Sequence, residues 1–146
     1  MAVNTAPIFT RLGDLSADGA VTFSLAMTLA ANDFTGVSAN NVLLHTALAD
    51  GSFIESLRFK ARGTNVPSAV RVFINNGLTP ATAANNFFWD DMVLPLTTAN
   101  TTGMTGVQVT MPMRLLMPAG FRIYAGLATA VGGGWGGMAV AGKYIA

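Results

Sequence analysis

The sequence predicts an all-β protein: an antiparallel β-sandwich, jelly-roll-like, of about eight strands with an extended N-terminal arm. Three observations lead there. Polar helix formers are nearly absent (one Glu, one Gln, two Lys), whereas threonine occurs sixteen times. Helix surfaces are built from Glu, Lys, Gln and Arg, and strand surfaces from Thr and other β-branched residues. Apolar residues then alternate with period 2 in several short windows, and turn signals fall between those windows.

In chain order, residues 1–18 form the candidate arm, because Pro7 and a polar start argue against a helix. Residues 19–146 form the single sandwich domain. AVTFSLAM (20–27) and NNVLLHTAL (40–48) read as strands, and the one stretch open to a helix is a short one near Leu25–Ala31. In GSFIESLRFKARG (51–63), Phe53, Glu55, Leu57, Phe59 and Ala61 fall on one face, with Arg58, Lys60 and Arg62 on the other. In SAVRVFINNG (68–77), Val70, Val72 and Ile74 oppose Arg71 and Phe73. NNFFWDDMVLPL (85–96) alternates until Pro95, which belongs at an edge or a strand end. TGVQVTM, GFRIYAGL and GMAVAGKYI complete the set. Asp18-Gly19, Asp50-Gly51, Asn75-Asn76-Gly77 and Pro118-Ala119-Gly120 supply the reversals, since these residues tolerate positive φ.

Composition narrows the function. The chain has no cysteine, so disulfides, thiol redox chemistry and thiolate metal sites are excluded. A net charge of +1 gives no electrostatic case for nucleic acid or an acidic membrane. Charged residues make up 10% of the chain, against about 25% in soluble domains. The stretch most open to a membrane-helix reading, Ile123 to Gly142, is uncharged but holds seven glycines, which argues against such a helix. The start, MAVNTAPIFTRLGD, lacks the features of a secretory signal. The expectation is a soluble, unprocessed chain made in a cytoplasm, whose exterior is covered by neighbours in an assembly.

Chemical motifs are weak throughout. His45 lies in a strand with no nucleophile elbow anywhere, so it reads as a structural or interface residue. Asp90 and Asp91 are adjacent on a strand and point to opposite faces, which suits an exposed acid and an arginine partner better than a metal site. GGGWGG (132–137) fits G-x-G-x-x-G formally, yet no acidic residue follows it. The better reading is Trp135 carried on a flexible glycine loop, packed on the core or on a neighbouring subunit. Asn100-Thr101-Thr102 is a glycosylation sequon without a signal peptide to support its use. The eight methionines are expected to fill the core. Arg58, Lys60 and Arg62 form a basic stripe, joined by Arg71 if the next strand pairs alongside. Its plain reading is a solvated face, and its functional one is contact with an acidic protein surface. The candidate interface is therefore Arg58, Lys60, Arg62, Arg71 and Trp135. No catalytic, cofactor-binding or metal-binding residue is assigned.

From about residue 40 onward the segments GSFIESLRFKARGTNVPSAVRVFINNG, FFWDDMVLPLTTAN and MPMRLLMPAGFRIYAGLATAV, with the glycine-rich last strand, resemble small β-sandwich structural proteins of tailed bacteriophages. The resemblance implies a virion component without enzymatic activity, of the capsid decoration or cement type. It would bind the outer surface of the major capsid protein lattice and associate with itself, as a trimer, on the capsid surface. The alternatives are a tail, neck or fibre-associated subunit, and a carbohydrate-binding module using Trp89, Trp135 and Tyr124. An enzyme is disfavoured by the missing side-chain inventory.

Overall fold

The computed structural model describes residues 10–12, 27–31, 33–100 and 106–144, with side chains placed from 27 to 142. Eight strands are present among them: β1 Thr10–Leu12, β2 Val42–Thr46, β3 Ser52–Ala61, β4 Ser68–Asn75, β5 Asn86–Leu94, β6 Gln108–Met117, β7 Arg122–Leu127 and β8 Trp135–Tyr144. A short 3-10 turn, Ala83–Asn85, precedes β5. They form two antiparallel sheets that make a sandwich, in the orders β1-β8-β3-β6 and β2-β7-β4-β5. Only β4 and β5 are neighbours both in sequence and in a sheet; every other connection crosses between sheets. The expected turns at Gly51, Gly77 and Gly120 all have positive φ, at 88°, 90° and 78°. Asp18-Gly19 and most of the 20–27 segment lie outside the described residues.

Inward side chains of both sheets build one core. β3 supplies Ile54, Leu57 and Phe59, β4 Val70 and Val72, β7 Ile123 and Leu127, and β8 Trp135, all fully buried. Burial of each such aliphatic or aromatic group contributes about 1.5–3 kcal/mol. Met27, Met111, Met113 and Met117 fill the gaps, as the composition suggested. Gly137, opposite Phe59 in β8, makes room for that ring: a Cβ there would come within 2.8 Å of Leu44 and 3.2 Å of Phe59.

The structure corrects several local expectations. In β3 the register slips between Ile54 and Ser56 against both neighbours: Glu55 is the extra residue of a bulge opposite β8, whereas opposite β6 the extra residue is on β6, with Met113 and Arg114 against Glu55. The bulge reverses the alternation, so Ser52 and Ile54 point inward before it and Leu57, Phe59 and Ala61 after it. Phe53 and Glu55 therefore do not share the face of Leu57. Glu55 is exposed and meets Arg114 across the strands at 4.0 Å, an open pair that contributes little. Beyond the expected TGVQVTM, β6 continues through Pro112 to Met117, which proline permits because β6 is an edge strand. Thr10–Leu12, assigned from sequence to the arm, instead pair with Tyr144–Gly142 as an edge strand. The rest of residues 1–18 lies outside the described residues. Residues 27–31 contain two isolated β-bridges, to Trp135 and Leu127, in place of the short helix, whose first residues are outside the description.

Residues 33–41 add a cover on the outer face of the second sheet. The Asp33 carboxylate accepts hydrogen bonds from the backbone N–H groups of Thr35 (2.8 Å), Gly36 (2.6 Å) and Ser38 (3.1 Å), which coils this segment. Phe73, outward-pointing yet buried, lies beneath it, edge-on to Phe88 at 5.8 Å. Phe34 packs edge-on to Phe88 at 5.5 Å and carries the Arg71 guanidinium 4.0 Å above its ring.

Candidate protein interaction surfaces

Arg58 and Lys60 share the outer face of the first sheet, as alternation requires, and Arg62, just past the end of β3, lies over the same face, where a Cβ on Gly136, opposite Lys60, would come 3.5 Å from its Cδ. Arg58 lies between Thr110 of β6 and Met138 of β8, and Lys60 between Gln108 and Gly136. Arg58 and Arg62 are exposed and Lys60 is half-buried. No acidic side chain among the described residues pairs with the three of them. Arg71 does not join this stripe: it is on β4, in the other sheet, engaged with Phe34 and with the Asp33 carbonyl at 3.4 Å. Strand order decided this, because β3 and β4 are consecutive in sequence but belong to different sheets.

Trp135 packs on the core, the first of its two expected places, and so is not an interface residue. It is fully buried, and it begins β8 rather than sitting on a flexible loop. Its backbone exchanges hydrogen bonds with Met27 at 2.8 and 3.0 Å, and it lies opposite Ala61 in β3. The three aromatics of the carbohydrate reading do not converge: Trp135 is in the core, Trp89 on β5, and Tyr124 in β7 beside a cleft of about 270 Å3.

The surface that sequence reading missed is β5, the edge strand of the second sheet. Phe87 is 63% exposed and Val93 73%, and Trp89 is partly open beside them. Asp90 and Asp91 are exposed in the same strand. Opposite β4, Val72 faces Asp90 while Phe73 faces Phe88, so Trp89 is the extra residue of a second bulge. Asp91 lies opposite Arg71 in the β4–β5 register. The run Phe-Phe-Trp-Asp-Asp carried the signal: an apolar row interrupted by charge does not fit a strand with one dry face.

His45 lies in β2 opposite Ile123 and is 3% exposed. Neither ring nitrogen bonds to a described residue. Burial disfavours the charged imidazolium and pulls the pKa below its usual 6.5. The folded state therefore resists a proton that the unfolded chain accepts. Its contribution to stability is complete above pH 6.5 and is lost as pH falls. Urea unfolding at successive pH values is expected to show this loss below neutrality, no steeper than about 1.4 kcal/mol per pH unit for one proton. His45→Gln is expected to flatten that limb; an unchanged slope would reject His45 as its source.

Among the described residues no three His, Asp or Glu side chains gather as metal ligands. No described helix is long and apolar enough to cross a membrane. Compared with protein-family models, curated proteins and solved structures, the chain matches none.

Proposed function

We propose that this chain is a non-enzymatic virion structural protein, a capsid decoration (cement) protein. In this reading it binds the outer surface of the major capsid protein lattice, is made in the host cytoplasm, and stabilises the head. The observation that carries the reading is the chemistry of the exterior. Leu29, Phe34, Phe87, Val93, Leu96 and Leu116 are each at least 60% exposed on a chain that is only 10% charged. Apolar groups distributed this widely suit surfaces that become buried against neighbours. A rigid two-sheet body suits the task, because weak contacts add up across a symmetric shell only when each subunit presents the same geometry. The nested pairing of β1 with β8, β2 with β7, β3 with β6 and β4 with β5 supports reading the sandwich as a jelly roll, an architecture that recurs in viral capsid proteins.

The test is thermal genome release from purified capsids with and without the protein. Decorated capsids are expected to open at a higher temperature, and identical release curves would overturn the proposal. Copy number gives a second check: many copies spread over the shell support decoration, and a single small ring assigns the chain to the neck or tail.

A further inference from the structure

We infer that the β5 edge of one copy docks on the basic stripe of β3 in a second copy of this chain. An edge strand with exposed apolar side chains is a surface that folded proteins normally cover or blunt. Here it is blunted against direct strand pairing, since the bulge at Trp89 breaks the run of unpaired backbone groups and Asp90 and Asp91 place charge on it. The apolar side chains remain: Phe87 is 63% and Val93 73% exposed. What the edge can receive is therefore a surface of side chains rather than another strand.

Charge decides which surface. A two-fold contact of β5 with itself would set Asp90 and Asp91 against their own copies, and like charges face to face are unfavourable. The outer face of the first sheet carries the complement, Arg58, Lys60 and Arg62, with no acidic partner among the described residues. Guanidinium groups also stack on aromatic rings, and their aliphatic stems cover apolar surface. The chain already uses this contact internally, where Arg71 sits 4.0 Å above the Phe34 ring. Asp90 and Phe87, opposite Val72 and Ile74, lie on one side of β5, and Asp91 and Val93, opposite Arg71 and Ala69, on the other; because β5 is the sheet edge, edge-on docking brings both sides to the neighbour, with the Phe87 and Trp89 rings and the two carboxylates set against Arg58 and Arg62. The two patches lie on different sheets, so each copy presents both at once. Such a head-to-tail contact closes into a ring when the rotation between copies permits. This inference does not rest on the capsid reading, because the contact would form in free protein.

The experiment is sedimentation equilibrium of the full-length chain, with circular dichroism to confirm folding. Wild type is expected to self-associate, and to do so more weakly as salt rises from about 0.05 M to about 0.5 M. Asp90→Lys with Asp91→Lys, and separately Arg58→Glu with Arg62→Glu, are each expected to weaken association about tenfold or more. All four changes together restore the opposite-charge match and should recover most of the loss. Val93→Ser leaves every charge in place and is expected to weaken association without lowering the melting temperature. Three results would overturn the inference: a wild type that stays monomeric, a salt-independent equilibrium, or a four-fold variant as weak as either pair. If the aspartate variants misfold, the salt series and Val93→Ser still decide.

Discussion

Asn65→Leu is expected to lower the unfolding free energy by about 4 kcal/mol, seen as a melting temperature depressed by about 10 °C or more. Asn65 is 1% exposed and its amide is saturated. Its Nδ2 donates to the carbonyl oxygens of Gly63 (3.1 Å) and Gly134 (3.2 Å) and to Thr97 Oγ1 (3.0 Å). Its Oδ1 accepts from the backbone N–H groups of Gly133 (3.0 Å) and Gly134 (2.7 Å). One side chain therefore ties the β3–β4 loop to the start of β8 and to the segment after β5. The loops approach too closely for any larger residue, since a Cβ on Gly133 would come within 2.5 Å of the Gly63 Cα. Leucine fills similar volume but removes these bonds, about 0.5–1.5 kcal/mol net apiece, and leaves the buried Gly134 N–H without a partner, at about 1–3 kcal/mol. The other groups keep a second partner: the Gly63 carbonyl accepts from Thr97 Oγ1 (2.7 Å), the Gly134 carbonyl from the Arg62 N–H (2.9 Å), and the Gly133 N–H donates to the Thr64 carbonyl (2.9 Å).

Asn65→Asp separates hydrogen bonding from volume. An ionised carboxylate keeps the two bonds from Gly133 and Gly134 but sets an acceptor against the Gly63 and Gly134 carbonyls. Its folded-state pKa should therefore rise above the ordinary carboxylate value, because the protonated acid recovers a donor. A raised pKa stabilises the folded state only at low pH, so the deficit of this variant relative to wild type is largest at neutral pH and narrows on acidification. Denaturant titrations at pH 7 and pH 4 check the sign. A leucine variant within about 1 kcal/mol of wild type would show that the loops are held by their backbone alone.

Trp135→Ala is expected to cost about 3–5 kcal/mol by opening a cavity between the sheets. The indole is fully buried in the core cluster, and its backbone links β3 on one side to Met27 on the other. Its indole Nε1–H finds no partner among the described residues. Trp135→Phe, which removes that donor and keeps most of the apolar volume, should therefore cost far less than the alanine change. Fluorescence gives an independent readout, because Trp89→Phe leaves Trp135 as the only tryptophan. Its emission should be that of a dry site in the folded protein and shift to longer wavelength on unfolding. Solvent-exposed emission from the native state would contradict the burial.

The fold class was legible because its signals are local. Thr-rich faces, period-2 runs and Gly-centred turns depend on residues a few positions apart, and β3, β4, β5, β7 and β8 each overlap the segment read as a strand. The basic stripe at Arg58, Lys60 and Arg62 was legible for the same reason, since alternate residues of an extended segment share a face. The errors share the opposite cause. Arg71 was set beside the stripe by its proximity in sequence, but the chain crosses to the other sheet between β3 and β4. Trp135 was read from its glycine neighbours, which mark close backbone packing and not a loose loop.

By itself, then, the sequence determined that this chain forms strands, where most of them lie, and that its exterior is poor in charge. The tertiary structure decided which strands are neighbours, where the bulges at Glu55 and Trp89 turn side chains over, and which aromatics stay in water. Alternation within a strand follows from backbone geometry alone. Pairing between strands depends on contacts between residues far apart in the chain, which no single window contains.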